Sequence, residues 1–344
     1  MAGGILLWSL ATMATPWGIT ALQQLQQVSS SSSSAAATTD PAMVSSSSLF
    51  ALFPLLGIRV AVGVGESIVI PTMQRTLSVW TNENEKSRAL AWVFSGFAGG
   101  TVLAYTMSPM ILEITAGWSG LFYVYGGLGL LILVPWWLVA KDAPPAATTT
   151  TTTLCKETAG SLPASGSTAK NENLDTVIES FQTAPWKQFA ASPGVWGMLL
   201  AHAAKNWGLY INLAWTPTFY AEQYGLSVAD SALLSVGPSL AGAAGAFVAG
   251  WTADTVLQRF DLPDPTPVRK IFQGIALLGP AAALGGLAWH IPESAVTAQW
   301  YLMASVGLQS FNAAGFEAGN QEKAGPKWSG LLYSVTTLPA VWCK

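Results

Sequence analysis

The sequence is poor in charged residues and in cysteine. Only 10% of its 344 residues are Asp, Glu, Lys or Arg, whereas soluble globular proteins contain about 25%. Two cysteines exclude a disulfide-rich scaffold, and a net charge of -3 argues against a nucleic-acid partner. With 51% hydrophobic residues, the chain lacks the polar surface of a water-soluble protein. These proportions predict an integral, multi-pass membrane protein.

Long apolar runs recur along the chain. A helix needs about 18 to 25 apolar residues to cross the roughly 30 Å hydrocarbon core. Strands of a membrane barrel would instead alternate over about 10 residues, so the run lengths predict an all-α protein. The first run has no basic residue before it, which favours a span over a cleaved signal peptide. Eight complete runs and one partial run cover residues 3–20, 49–76, 88–112, 118–140, 194–218, 229–252, 270–290, 296–318 and 328–343.

Basic residues predict the orientation of these spans. Four alternate loops, at 21–48, 113–117, 219–228 and 291–295, contain no Lys or Arg. The other set of loops carries basic residues throughout. Because basic loops are retained in the cytoplasm, that second set is expected on the cytoplasmic side.

Two segments of low complexity divide the chain. Residues 21–48 are rich in Ser, Ala and Thr and are predicted to form an irregular loop within an N-terminal helical bundle, 1–140. Residues 141–193 form a predicted cytoplasmic linker to a C-terminal bundle, 194–344. Two bundles joined by a long loop are typical of transporters built from two halves.

Two cations lie deep inside predicted spans. Arg59 and Lys205 each lie about 15 Å from the end of a span, where an unpaired charge costs several kcal/mol. We therefore expect both to line a water-filled cavity and to bind an anionic substrate. Asn206 and Tyr210 flank Lys205 and are predicted to contribute hydrogen bonds to the same anion.

Glu66 follows Arg59 by seven residues, which returns it to the same helix face. Two interpretations remain open. Glu66 neutralises Arg59 within a Gly-rich packing surface, or it binds the sodium ion or proton that drives transport.

Enzymatic chemistry finds little support in the sequence. His202 and His290 lack the paired ligands of a zinc site, and no GxxxxGK[ST] motif indicates an ATP-driven pump. We expect no enzyme activity, no metal site and no cofactor, apart from sodium or a proton as the coupling ion.

Several stretches resemble the major facilitator superfamily, in particular its anion/cation symporter branch. They include GIRVAVGVGESIVIPTMQRTLSVW, NEKSRALAWVFSGFAGGTVLA and LLSVGPSLAGAAGAFVAGWTAD. That branch contains plastid-type sodium-dependent phosphate transporters, sialin and vesicular glutamate transporters. The resemblance implies secondary active transport of an anion by alternating access. Inorganic phosphate is the leading candidate substrate, and a carboxylate such as glutamate or ascorbate is the alternative.

The resemblance also implies roles for individual residues. Arg59 and Glu66 match a charged pair on the fourth family helix, and Lys205 matches a basic position on the seventh. Other charged residues match the family's cytoplasmic loops, where they either form gating ion pairs or lie in solvated loops. These gate candidates are Glu85, Lys86, Arg88, Asp254, Arg269 and Lys270.

Departures from the family pattern affect this expectation. The chain resembles family helices three to eleven, so we expect a sequence truncated at both ends, and a transport-incompetent membrane protein is a further alternative. Where the family often reads NHQD, this chain has Asn320, Gln321, Glu322 and Lys323; Glu317 is a candidate compensating carboxylate. The expected partners are a small anion and the lipid bilayer. The protein is expected to be a monomer in a plastid, another endomembrane or the plasma membrane.

Overall fold

The computed structural model describes residues 1–35, 41–82, 85–115, 117–140, 181–260, 262 and 264–341. For 25–35, 41–51 and 340–341 it describes the backbone alone. Within these ranges the regular structure is helical and contains no strand, which confirms the all-α prediction.

Ten α-helices and one 3₁₀ helix are present in the described residues. The helices that precede residue 141 are α1 (Ala2–Ala35), α2 (Pro41–Trp80), α3 (Lys86–Thr115) and α4 (Ser119–Val139). The short α5 (Trp186–Ala191) lies within the predicted linker 141–193. It is followed by α6 (Pro193–Tyr224), α7 (Val228–Phe260), α8 (Thr266–Trp289) and α9 (Ala295–Gln309). A 3₁₀ turn (Ser310–Ala313) connects α9 to α10 (Phe316–Val341).

Six of the described helices are long and apolar enough to cross a membrane. They are residues Ala2–Gln24 of α1, Leu52–Trp80 of α2, and the helices α3, α4, α7 and α8. The predicted span 194–218 lies within α6, which has 32 residues but carries several polar side chains. Lys205 is one of them, and its surroundings are described below.

The predicted span 296–318 is not one continuous helix. α9 ends at Gln309, and α10 begins only at Phe316. Side-chain hydrogen bonds compete with the helical backbone at this point, since the Ser310 hydroxyl donates to the Val306 carbonyl at 3.0 Å. The break places Asn312 in a 3₁₀ turn.

The Ser-rich segment also differs from its prediction. α1 continues to Ala35 and α2 begins at Pro41, so helix occupies much of the irregular loop predicted at 21–48. Alanine has the highest helix propensity and serine an intermediate one, so this composition does not by itself prevent helix formation. The remaining residues, 36–40, lie outside the described ones, as do 141–180 of the predicted linker.

Contacts between Cα atoms group the chain into two compact units. Unit 1 contains Met1–Thr72 and Ser108–Ala140, and α1 packs against α4 within it. Close helix contact in unit 1 depends on Gly65, because a Cβ atom there would lie 2.8 Å from both the Gly4 carbonyl oxygen and the Trp8 backbone nitrogen.

Unit 2 contains Met73–Met107 and Lys141–Lys344. α7 packs against α9, α8 against α9, and α6 against α10. One apolar core of this unit joins Ala249 and Ala253 of α7 to Val268 and Phe272 of α8. The same unit holds a group of buried polar side chains, which includes Lys205.

Candidate functional site

A buried ion pair lies at the centre of the polar group in unit 2. The Lys205 ammonium of α6 lies 3.7 Å from the Oε1 atom of Glu317, on α10. The Glu317 side chain has no exposed surface, and that of Lys205 is 11% exposed. A charge so far removed from water requires partners, and each of these two residues gives the other an opposite charge.

Amide groups complete the surroundings of Glu317. Gln74 Nε2, from α2, donates to Glu317 Oε2 at 2.5 Å, and Asn312 Nδ2 donates to Oε1 at 3.1 Å. Gln321 Nε2 in turn donates to Gln74 Oε1 at 2.7 Å. We refer to Lys205, Glu317, Gln74, Asn312 and Gln321 as the Lys205 cluster. Its hydrogen bonds connect α2, the 3₁₀ turn and α10 around one carboxylate.

Aromatic and backbone contacts position Lys205. Its ammonium lies 5.8 Å from the centre of the Phe94 ring, within the range of a cation–π interaction. Its backbone carbonyl accepts a hydrogen bond from Gln309 Nε2 at 2.9 Å. Phe94, on α3, and Gln309, the last residue of α9, therefore hold this part of α6.

Helical spacing places His202 on the same face of α6 as Lys205, because the two residues are three apart. Asn206 is the next residue after Lys205 and lies about 100° around the helix from it. The side chains of His202 and Asn206 are both buried. His202 Nδ1 lies 3.1 Å from Thr336 Oγ1, and its ring packs against Phe316 and Tyr333. Tyr210 is partly buried on the same helix. The predicted companions of Lys205 therefore lie on α6 with it.

Arg59 and Glu66 have different surroundings in unit 1. Both residues are exposed, and neither takes part in an ion pair among the described residues. The structure therefore does not bring Arg59 and Glu66 together as a neutralised pair. Lys205 belongs to unit 2, and the structure pairs it with Glu317 instead.

Four of the predicted gate residues are buried or half-buried in unit 2. The Arg88 backbone amide donates to Asp254 Oδ2 at 2.9 Å, and Arg88 Nε lies 3.9 Å from the same oxygen. Arg88 also lies over the Trp251 ring, 5.6 Å from its centre. Lys86, the residue at the start of α3, is 4% exposed. Glu85 and Lys270 are exposed.

Arg269 makes polar contacts with three other residues. Its Nη2 atom lies 2.6 Å from Glu322 Oε1, and its Nε atom lies 3.1 Å from each Glu322 carboxylate oxygen. Its Nη1 atom donates to Ser87 Oγ at 2.8 Å and to the Ala314 carbonyl at 3.0 Å. We refer to Ser87, Arg88, Asp254, Arg269 and Glu322 as the Arg269 cluster.

The sequence alone did not identify several members of these clusters. Gln74 and Asn312 are neutral amides, which carry no charge signal. Gln321 and Glu322 stand out in the sequence only as departures from a family motif. Asn and Gln in long apolar segments are a weak signal for interhelical hydrogen bonds. The candidate carboxylate Glu317 does lie beside Lys205.

A lone carboxylate outside the spans stabilises the start of α8. Asp264 Oδ1 accepts a hydrogen bond from the Thr266 backbone amide at 2.9 Å. Hydrogen bonds from Thr266 lower the pKa of Asp264 below its ordinary value. This contact satisfies one of the free donors in the first turn of the helix.

Known chloroplast proteins are similar to this chain. "Sodium-dependent phosphate transport protein 1, chloroplastic" of Arabidopsis thaliana is 32% identical, over 98% of this chain and 57% of that protein. "Ascorbate transporter, chloroplastic" of the same plant is 33% identical, over 83% and 50%. "Probable anion transporter 1, chloroplastic" of Oryza sativa subsp. japonica is 32% identical, over 83% and 51%. The chain thus spans about half the length of the curated relatives it matches.

Solved structures share the fold at low sequence identity. A bacterial homologue of the iron transporter ferroportin, in an outward-facing state, gives a TM-score of 0.56 at 15% identity, covering 99% of this chain and 72% of that one. A bacterial homologue of the lysosomal transporter Spinster gives 0.52 at 17% identity, covering 99% and 64%. The model of the Major Facilitator Superfamily matches residues 1–338. This integral, multi-pass membrane protein therefore belongs to the major facilitator superfamily.

Proposed function

We propose that the protein transports a small anion across a membrane by alternating access. The observation that carries this proposal is the Lys205 ammonium, which lies among buried polar side chains of unit 2 and is paired with a single carboxylate. A buried cation of this kind is costly and is seldom kept in a membrane protein without a task. The names of the relatives support an anion as the substrate class.

Inorganic phosphate is the first substrate candidate. The relative named as a phosphate transport protein aligns with 98% of this chain. An organic carboxylate is the alternative, and the relative named as an ascorbate transporter favours ascorbate as its probe. In both cases Lys205 supplies positive charge in unit 2, where Asn206 and Tyr210 supply hydrogen bonds. Arg59 is the proposed source of positive charge in unit 1.

The driving force is proposed to come from sodium ions or protons. Glu66 is the coupling carboxylate in this proposal, because it is exposed and unpaired among the described residues and can exchange a cation with its surroundings. The protein acts as a symporter and a monomer in the bilayer. No covalent step is required.

The Arg269 cluster is the proposed cytoplasmic gate. Arg88 with Asp254, and Arg269 with Glu322, connect α3, α7, α8 and α10 through short polar contacts. Opening toward the basic side would break these contacts. The exposed Glu85 and Lys270 and the buried Lys86 complete the proposed gate.

Uptake into proteoliposomes tests the function. Labelled phosphate is supplied outside, with unlabelled ascorbate or glutamate as competitor and with or without a sodium or proton gradient. We expect uptake by the wild-type chain and at least a tenfold loss, about 1.4 kcal/mol, in Arg59→Ala and Lys205→Ala. The matched controls, Arg259→Ala and Lys187→Ala, change exposed cations and should transport like the wild type.

The outcomes separate the candidates. Competition by ascorbate or glutamate at low concentration would move the assignment to carboxylates. Absence of uptake of either anion would overturn the transport proposal and favour the transport-incompetent alternative. Full uptake by Arg59→Ala and Lys205→Ala would remove both cations from the site.

A further inference from the structure

The charge of Lys205 is only loosely engaged. Among the described residues its ammonium has one charged partner, Glu317, at 3.7 Å. An N–H···O hydrogen bond is shorter, at about 2.7 to 3.2 Å, so the two groups attract each other without a close hydrogen bond. An ammonium has three donors. Lys205 can therefore turn toward a second anion by giving up one long ionic contact and a cation–π contact with Phe94.

Glu317 is held by groups other than Lys205. Gln74 donates to one of its carboxylate oxygens and Asn312 to the other. These two amides lie on α2 and on the 3₁₀ turn, whereas Lys205 lies on α6. The carboxylate therefore has anchors that remain when the ammonium moves away.

The same surroundings can accept a protonated Glu317. Asn312 Oδ1 is buried and has no hydrogen-bond partner in the described part of the chain. Rotation of the Asn312 amide by half a turn exchanges its nitrogen and oxygen, so the oxygen then faces the carboxyl group. In that orientation the amide accepts a hydrogen bond from the added proton instead of donating one.

Other titratable groups lie near Glu317 in unit 2. Lys205 of α6 is its ion-pair partner, and Tyr333 of α10 interacts with it electrostatically. His202 and Tyr210 of α6 in turn interact with Tyr333. Arg269 and Glu322 bind each other. His202 is the alternative proton acceptor, because its Nε2 atom has no hydrogen-bond partner among the described residues. The charge of Lys205 also acts on His202. α2 and the 3₁₀ turn present the neutral Gln74 and Asn312.

From this arrangement we propose that Glu317 is an internal counter-ion that competes with the substrate anion for Lys205, and that a proton taken up by Glu317 releases Lys205 for binding. An ionised carboxylate and a substrate anion beside one ammonium repel each other, so anion binding favours the protonated form of Glu317. By thermodynamic linkage, protonation of Glu317 strengthens anion binding by the same factor by which anion binding strengthens the protonation of Glu317. The inference rests on the proposed anion transport and adds the residue that sets its pH dependence.

Equilibrium binding to the purified 344-residue chain in lipid nanodiscs tests the competition. The probe is labelled ascorbate, which stays a monoanion across the neutral pH range, and labelled phosphate is measured alongside it. The variants are Glu317→Gln, Glu317→Asp, His202→Gln and the double variant Lys205→Gln with Glu317→Gln. Glu293→Gln makes the same chemical change at an exposed glutamate and is the matched control.

In the wild type, ascorbate affinity should rise as the pH falls from mildly alkaline to mildly acidic. Glu317→Gln should bind about tenfold tighter at the alkaline end, with an affinity that no longer depends on pH, since one close opposing charge is removed. Glu293→Gln should follow the wild type. The double variant has lost the ammonium and should bind at least tenfold more weakly than Glu317→Gln.

Glu317→Asp covers the case in which Glu317→Gln does not fold. Its shorter side chain draws the carboxylate away from Lys205 but still titrates, so affinity should rise while the pH dependence remains. Wild-type affinity and pH dependence in whichever Glu317 variant folds would overturn the competition and leave the transport proposal standing. Loss of pH dependence in His202→Gln alone would assign the proton to His202 and overturn the inference. Absence of binding in every form would overturn both proposals.

Discussion

The Lys205 ammonium lies 3.7 Å from Glu317 Oε1, and the Glu317 side chain has no exposed surface. The two residues lie on different helices, Lys205 on α6 and Glu317 on α10, so the packing of these helices brings them together. Because they are so close, removing the charge of one residue removes the electrostatic stabilisation of the other. The stability of the protein should therefore depend on the pair and not on either residue alone.

Removing one member of the pair should destabilise the protein more than removing both. Lys205→Gln leaves a buried carboxylate without its cation, and we expect a loss of about 3 to 5 kcal/mol in the free energy of unfolding. The double variant Lys205→Gln with Glu317→Gln should recover most of this loss. Chemical denaturation in detergent micelles measures the free energy of unfolding of Lys205→Gln, of Glu317→Gln and of the double variant. Lys187→Gln is the exposed control. Additive effects of the two single changes would contradict a direct interaction.

A lysine at position 269 should not preserve the stability that Arg269 provides. The guanidinium donates to Glu322, Ser87 and the Ala314 carbonyl at once, and an ammonium cannot reproduce this planar arrangement. Arg269→Lys should therefore lower the free energy of unfolding by about 1.5 to 3 kcal/mol, the contribution of hydrogen bonds to a charged group. Denaturant titration compares it with Arg259→Lys at an exposed site. Equal stability of the two variants would show that the contacts of Arg269 are dispensable.

Gly325 should be intolerant of any side chain. Its backbone angles, φ 67° and ψ 175°, fall in a region that only glycine occupies readily. Gly325→Ala should cost about 1 to 3 kcal/mol of stability. Gly274→Ala is the control, because a Cβ atom at this helical glycine meets nothing within 4 Å and should be neutral or slightly stabilising. Thermal unfolding of both variants gives the comparison, and an unchanged Gly325→Ala would exclude strain at this position.

Asp264 should contribute to stability in a pH-dependent way. Hydrogen bonds from Thr266 lower its pKa in the folded protein, so folding favours the ionised form. The contribution is present above the ordinary pKa of an aspartate and is lost as the pH falls through the lowered value. The difference in melting temperature between the wild type and Asp264→Ala should therefore shrink in acid. A difference that stays constant through this range would argue against the hydrogen bond.

The helical fold could be predicted from the sequence because each apolar run is a local signal. The predicted runs at 88–112 and 229–252 lie within α3 and α7. The observed ends of these helices lie one to eight residues beyond the ends of the runs. The interruption after Gln309 was not predicted, because the mean hydropathy of residues 296–318 does not show where a helix breaks.

The candidate site was predicted less completely than the fold. Charge inside a span identified Lys205, since an ionisable residue stands out in an apolar run. Its partner Glu317 lies 112 positions later, and no local pattern joins two residues that are brought together by helix packing. Gln74 and Asn312 were missed because an uncharged amide differs little from its neighbours in a hydropathy profile.

The backbone bend at Gly325 separates two parts of α10 with different chemistry. Glu317, Gln321 and Glu322 precede it, and the largely apolar turns around Leu332 follow it. Asn320 Nδ2 donates to the Ser329 carbonyl at 3.0 Å, which closes the bend from one side to the other. The turns that carry the carboxylates place Glu317 about 12 Å along the helix axis from Gly325, at 1.5 Å per residue. A rotation of about 20° at this glycine would therefore displace Glu317 by about 4 Å, which is comparable to its 3.7 Å distance from Lys205.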